Sequence, residues 1–312
     1  MASELTASGA WENIKTELGP DIVDILENRK DWSDLMINPN GTVFLDTDEK
    51  KQIDISYSDS GLFSAAFILA AYLHKPFNEK EGQQLDGTLP TTSIRALFLC
   101  PPTVRRITCV FRRLNTINFV PSDLIKMGTI TKEQSDMLIR AIREKRNIIF
   151  AGATGSGKTT ILNAYLSQFP YNERIWTVED SEELNVSQPN CVSQTVNDFM
   201  TYQASISSFL RGAPERLIIG EMRYGEQCLQ TIKMWNTGHP GGMSTIHANS
   251  CEDTIYRMRQ LCQEVSMMSA SELDEMIKHI LDVIVYIKRI PGTKKRVVTD
   301  IWTSEKNFSV EV

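Results

Sequence analysis

The sequence predicts an α/β protein in two parts: an N-terminal α+β domain over residues 1–117 and a C-terminal domain over 131–312 with a mainly parallel sheet, joined by a linker at 118–130. Three observations carry this. Short strand-like segments between turn residues dominate the first third of the chain. From Thr131 onward, brief apolar runs alternate with helical stretches, the pattern of a parallel sheet covered on both faces. One of those apolar runs leads straight into a glycine-rich turn followed by a helix. At 312 residues, with 41% hydrophobic and 23% charged residues, the chain is long enough for two ordinary cores.

In chain order, "GTVFLDT" (41–47), "KQIDISY" (51–57), "SIRALFLC" (93–100) and "RRITCVFRR" (105–113) read as strands, bounded by Pro39-Asn40-Gly41 and Pro101-Pro102. Between them "GLFSAAFILAAYLHK" (61–75) reads as a mostly buried helix. "TKEQSDMLIRAIREKR" (131–146) opens with a capping box, Thr131 with Gln134, and sets Met137, Leu138, Ala141 and Ile142 on one face. The alternation then runs: strand "NIIFAG", helix 158–169, strand 174–178, helix 201–211, strand 216–220, helix 225–237 and strand 243–248. The chain contains no internal repeat.

A net charge of −6 argues against a surface built as a whole to hold nucleic acid. Six scattered cysteines, at 100, 109, 191, 228, 251 and 262, form no C-x-x-C pair, which fits reduced thiols in a cytosolic protein. The first residues lack a signal-peptide pattern, and no apolar run approaches the roughly 18 residues of a membrane span. A soluble or peripheral protein is expected. The sequence ends in "VVTDIWTSEKNFSVEV", so little room is expected for a C-terminal partner module.

"GATGSGKTT" follows the strand "NIIFA" and fits G-x-x-x-x-G-K-[ST]; it spans Gly152, Ala153, Thr154, Gly155, Ser156, Gly157, Lys158, Thr159 and Thr160. The chemistry requires this spacing. Glycines let consecutive backbone N–H groups face inward, and the following helix adds the positive end of its dipole. Lys158 reaches the β and γ phosphates, while the Thr159 hydroxyl is placed for Mg²⁺. A nucleoside triphosphate such as ATP, with Mg²⁺, is the predicted ligand.

Ligand-facing residues of such a sheet sit at the carboxyl ends of its strands. "RIWTVEDSEEL" ends its strand in Glu179-Asp180, followed by Glu182 and Glu183, and "RLIIGEMR" ends in Gly220-Glu221. Mg²⁺ is expected to be held there through water, with Glu179 or Glu221 orienting or deprotonating the nucleophile. For either glutamate alone, a solvated strand-end acid is the competing reading. In "NTGHPGGMSTIHANS" (236–250), His247 ends a strand on the edge of the phosphate loop and reads as a γ-phosphate sensor. His239 shapes the preceding turn or meets a neighbouring subunit. A zinc site is disfavoured, because His247 and Cys251 are the only close pair of ligands.

Taken together, "GATGSGKTT", "RIWTVEDSEEL", "LRGAPERLIIGEMR" and "TGHPGGMSTIHAN", in this order, resemble the Walker A, Asp box, Walker B and His box of the ATPase superfamily that powers type II and type IV secretion and type IV pili. "WNTGHPGGMSTIHAN" is similar in particular to the TrbB-type conjugal transfer ATPases. The first domain matches more loosely, through "LMINPNGTVFL" and "IRALFLCPP". The resemblance implies a RecA-like P-loop NTPase domain and assembly as a homo-hexameric ring, with nucleotide between the domains and beside the neighbouring subunit. It makes Lys158 the phosphate clamp, Thr159 and Glu221 the Mg²⁺ ligands, Glu179 the catalytic acid or base and Glu221 the Walker B acid. Arg211 and Arg223 match family arginines of the nucleotide site. Arg95 and Arg112 match arginine fingers, against the alternative of a solvated edge strand protected by charge. The implied setting is cytoplasmic, peripheral to the inner face of the bacterial inner membrane, with inner-membrane components of a secretion channel as partners and without direct nucleic-acid binding. A nucleic-acid motor or a slow nucleotide-gated scaffold are the rivals. No adenine-contacting motif is recognised in residues 74–93.

Overall fold

A computed structural model describes residues 6–47, 49–78, 84–114, 118–197, 200–293 and 295–304. The chain divides into two compact units, residues 1–116 and 117–312.

The first unit opens with two helices, α1 (Ala7–Leu18) and α2 (Pro20–Asn28). The Thr6 side chain caps α1 through Gly9 N, and Pro20 stands at the start of α2, where a missing N–H costs nothing. Strands β1 (Asp34–Ile37), β2 (Val43–Asp46) and β3 (Lys50–Ile53) follow, then α3 (Asp59–Tyr72), then β4 (Gln84–Thr88), β5 (Ile94–Leu99) and β6 (Thr108–Arg113). The strands pair antiparallel in the order β3-β2-β1-β6-β5-β4. Alternate residues, Leu35, Ile37, Leu45, Ala96, Phe98 and Phe111 among them, form one core with Ile14, Leu18, Ile22, Leu62 and Leu69 of the helices. Arg112 and Arg113 point to opposite faces. Arg113 turns to the helix side, donating to Leu26 O and Arg29 O and lying over the Trp32 ring.

The second unit begins inside the stretch expected to be a linker. There α4 (Pro121–Lys126) buries Pro121 and Leu124, and Ile130 joins the same core. The capping box on α5 (Lys132–Arg143) is present in both directions, Thr131 to Gln134 N and Gln134 to Thr131 N. Next come β7 (Ile148–Ala151), α6 (Lys158–Leu166), β8 (Ile175–Glu179), β9 (Cys191–Thr195), α7 (Tyr202–Arg211), β10 (Arg216–Met222), α8 (Gly225–Asn236) and β11 (Met243–Ile246). The unit closes with α9 (Cys251–Gln263), α10 (Ala270–Ile280), β12 (Val283–Arg289) and β13 (Arg296–Thr303).

Its sheet has the order β13-β12-β7-β11-β10-β8-β9, parallel except for the antiparallel β12–β13 pair. Ile148, Phe150, Ile218, Met243 and Val285 face one core with α4–α6, while Ile149, Ala151, Ile219, Ile246 and Ile284 face another with α7–α10. Burial on both faces explains why these strands are uniformly apolar rather than alternating. The topology also fixes the order of the chemistry, since β11 lies between β7 and β10. Among the described residues, no helix is long and apolar enough to cross a membrane.

Candidate functional site

The turn between β7 and α6 is held from below: Gly152 N donates to Ile246 O and Ser156 N to Ala153 O. Gly157 has φ +95 and precedes α6 without any side-chain cap, so the first N–H groups of that helix face outward with their dipole. A residue with a Cβ is strained at that φ. The Ser156 hydroxyl is buried within the loop and has no hydrogen-bond partner among the described residues. This is a cradle suited to phosphate.

Three strand ends converge on it. Lys158 is buried and donates to Ala153 O at 3.1 Å, and its Nζ lies 3.2 Å from His247 Nδ1. On the other side of the ring, His247 Nε2 lies 2.6 Å from Glu221 Oε1. Lys158 thus stands at Nδ1 and the Glu221 carboxylate beside Nε2. Burial, then the Lys158 charge, hold the imidazole below its ordinary pKa, which keeps it neutral. Burial also lowers the Lys158 ammonium. Because β11 lies between β7 and β10, its end residue bridges the loop lysine and the β10 acid.

Glu221 is shared further. Arg223 Nε donates to Glu221 Oε2 at 2.7 Å, and Arg223 also reaches Asp180 at 3.8 Å. Gln227, in the first turn of α8, accepts from the Arg223 and Tyr224 N–H groups and donates to Asp180 Oδ1 at 3.2 Å. Glu179, at the end of β8, is 5% exposed, so it is not the solvated acid of the competing reading. Its Oε1 accepts from Glu183 N at 3.0 Å and Leu184 N at 2.9 Å, yet burial outweighs these bonds and pushes its pKa up to about 7. A Cβ on Gly220 would come within 3.1 Å of Glu179 Cγ, so the glycine before Glu221 leaves room for the buried acid. Thr159, Glu179, Asp180, Glu183, Glu221 and Arg223 line one small cleft. The Thr159 hydroxyl is a hard oxygen donor of the kind Mg²⁺ takes, while among the described residues no three acidic, histidine or cysteine side chains are grouped so as to hold a metal ion by themselves.

Several expected residues lie elsewhere. Arg211 is exposed at the end of α7, just before the amino end of β10, whereas the cradle is at the carboxyl edge. It is therefore not brought to the loop, because β10 carries the chain across the sheet between Arg211 and Arg223. In the first unit, Arg95 and Arg112 face each other across β5 and β6, ion-paired with Asp86 and Asp34. Both strands are interior to their sheet, which rules out the edge-strand alternative. His239 packs edge-on against Phe209 with centroids 4.9 Å apart, a structural contact at the amino end of β11. Residues 115–117, the last of the expected N-terminal domain, and 79–83 of the segment without a nucleotide motif lie outside the described residues. Sequence reasoning missed Gln227, whose bond to Asp180 spans 47 positions, and Arg296, whose Nε bonds Gly155 O at 3.2 Å.

A family model described as type II/IV secretion system protein matches residues 82–298, more than half of the chain. The chain belongs to this family. The probable conjugal transfer protein TrbB of Sinorhizobium fredii is 31% identical over 281 residues, covering 88% of this chain and 83% of that protein. The type IV secretion system protein VirB11 of Bartonella quintana is 30% identical over 285 residues, covering 77% of this chain and 79% of that protein. The solved structure of the Legionella pneumophila ATPase DotB matches with a TM-score of 0.63 at 18% identity, over 88% of this chain and 78% of that one. The pilus retraction motor PilT with bound ADP matches with a TM-score of 0.63 at 18% identity, over 88% and 80%. At these identities the structural likeness is one of fold. The four motifs of residues 152–249 fall within the matched family region.

Proposed function

We propose that the chain is the ATP-hydrolysing motor of a type IV secretion or conjugal transfer system, working as a homo-hexameric ring at the inner face of the bacterial inner membrane. The observation that carries the reading is the junction of Lys158, His247 and Glu221 above the phosphate loop. A bare phosphate-binding turn needs none of this junction. A hydrolase that reports the state of its γ-phosphate needs a donor on that phosphate linked to an acid near the attacking water.

In this reading the N–H groups of Gly155–Thr160 and Lys158 hold the polyphosphate. Mg²⁺, with Thr159 as protein ligand and Glu221 reaching it through water, neutralises phosphate charge when bound. Glu179, with a pKa of about 7, is poised to orient the attacking water and take its proton. Arg223 spans Glu221 and Asp180 and offsets part of their negative charge. Arg95 and Arg112 serve as charge-neutralising fingers, exchanging Asp86 and Asp34 for phosphate. The partners are inner-membrane components of the secretion channel.

Solution mass with and without a non-hydrolysable ATP analogue, measured beside ATP turnover, tests the reading. A hexamer with turnover abolished by Lys158→Ala is expected. A stable monomer, or undiminished turnover in that variant, refutes it. Mixing Arg95→Ala or Arg112→Ala with Lys158→Ala separates a shared site from an isolated one, because partial recovery occurs only if the arginines act between subunits. Strong, salt-sensitive stimulation by DNA would move the assignment to a nucleic-acid motor.

A further inference from the structure

The phosphate loop has a second flank. His247, just after β11, and Glu221, on β10, mark one side of β7; β12 and β13 lie on the other. Arg296, the first residue of β13, donates from Nε to Gly155 O at 3.2 Å, and its Cδ lies 2.8 Å from the position a Cβ on Gly157 would take. An arginine from the C-terminal hairpin is thus seated on the loop, 141 positions from the carbonyl that holds it.

Directly across the strand pair stands Arg289. Two like charges opposite each other on an antiparallel pair repel. Partial burial, and then the Arg289 charge, lower the Arg296 guanidinium from its ordinary pKa. Lys288 and Lys295 are exposed in the same hairpin and add to the positive field. The hairpin could turn without this charge; beside an anion cradle the charge has a use.

We propose that Arg296, backed by Arg289, binds the nucleoside-side phosphates of the nucleotide, the diphosphate shared by ATP and ADP, so that the β12–β13 hairpin is part of the nucleotide site. This rests on the reading of the loop as a nucleotide cradle. The direction follows from the sheet. Lys158, His247 and Glu221 locate the γ end toward β11 and β10. Strands are spaced about 4.8 Å apart, so β13 lies roughly 14 Å from β11, beyond direct reach of the γ end. The remainder of the nucleotide runs over the start of α6 toward β12 and β13, where a guanidinium makes charge-assisted bonds to phosphate oxygens.

The test compares Arg296→Gln, which keeps an N–H donor for Gly155 O but loses the charge, with Arg296→Lys, which keeps the charge. Fluorescent ADP and ATP are titrated against the full chain at low and moderate salt, alongside the thermal transition of the nucleotide-free protein. The expected result is about tenfold weaker binding of both ADP and ATP by the glutamine variant, a shallower salt dependence, and recovery of most of the affinity by lysine. The nucleotide-free transition should not move. Wild-type affinity for ADP in the glutamine variant overturns the inference, as does a loss confined to ATP. Equal weakening by glutamine and lysine with a lowered transition would make Arg296 a mere prop of the loop and overturn it too. If the unaltered protein binds neither nucleotide, the cradle reading itself fails.

Discussion

Replacing Glu179 by glutamine should stabilise the protein while abolishing its turnover, and the size of the stabilisation follows from the buried carboxyl. Unfolded, this group ionises near the ordinary 4.5; folded, at about 7. Between those values the unfolded chain has released a proton that the folded chain still holds, so stability falls as pH rises from about 4.5 to 7 and is flat above. At roughly 1.4 kcal/mol per pH unit the loss is about 3 kcal/mol. Glutamine keeps the shape and can still accept from Glu183 N and Leu184 N, but does not titrate. Thermal or urea unfolding of both proteins at pH 5 and pH 8 reads the difference. The glutamine variant should gain about 2.5 kcal/mol relative to the unaltered protein on going from pH 5 to pH 8, or about 5–10 °C in the transition of a unit this size. Other titrating groups are common to both proteins and cancel. Parallel pH dependences would refute the buried, raised carboxyl, whatever the effect on activity.

Three further outcomes are expected. His247→Gln should lower kcat for ATP by about 10²- to 10³-fold with little change in nucleotide affinity, because it removes a donor needed mainly when phosphate charge develops; a loss of affinity matching the loss of kcat would make His247 a binding residue only. Arg216→Met should cost about 3–5 kcal/mol in unfolding free energy, because Arg216 is fully buried, pairs with Glu173 and donates to Gly241 O and Ile142 O; normal urea midpoints would refute this. Thr131→Ala should cost about 1 kcal/mol through the lost cap on α5 and leave turnover unchanged, as read by the same unfolding assay and ATP turnover.

How far the sequence exposes this site depends on where each residue finds its partners. The run Ile148–Ala151, the loop and α6 are contiguous, and the strands ending in Glu179, Glu221 and His247 are apolar on both faces, so position in the chain predicts position at the carboxyl edge. Arg211 misleads because it precedes β10 in sequence but stands at the strand's other end. The same distance hides Arg296 and Gln227, whose partners are supplied by other parts of the fold. By contrast, α1 and α2 are legible in the sequence: Ala10, Trp11, Ile14 and Leu18, then Ile22, Ile25 and Leu26, recur at helical spacing behind Thr6 and Pro20. The interval 118–130 looked like a linker because α4 is too short for periodicity to show, though its Leu124 is a core residue.

The geometry around Lys158 bears on how the proposed site would couple chemistry to motion. Lys158 donates to Ala153 O and stands at His247 Nδ1, while Arg223 donates to Glu221 Oε2 and His247 Nε2 lies beside Glu221 Oε1. A γ-phosphate that takes Lys158 removes the donor on Nδ1. It also removes part of the positive field that keeps the imidazole neutral only if its own charge is close, and then protonation of His247 becomes more favourable. On the proposed reading, protonated His247 would donate from both nitrogens, to phosphate on one side and Glu221 on the other. Loss of the phosphate reverses the sequence. His247 leads into α9 and Glu221 into the turn before α8, so on the proposed nucleotide reading the protonation state of one imidazole would link phosphate occupancy to two helices that pack together in one core. A histidine whose pKa in the folded protein is the same with and without ATP analogue, read by NMR, would break that link.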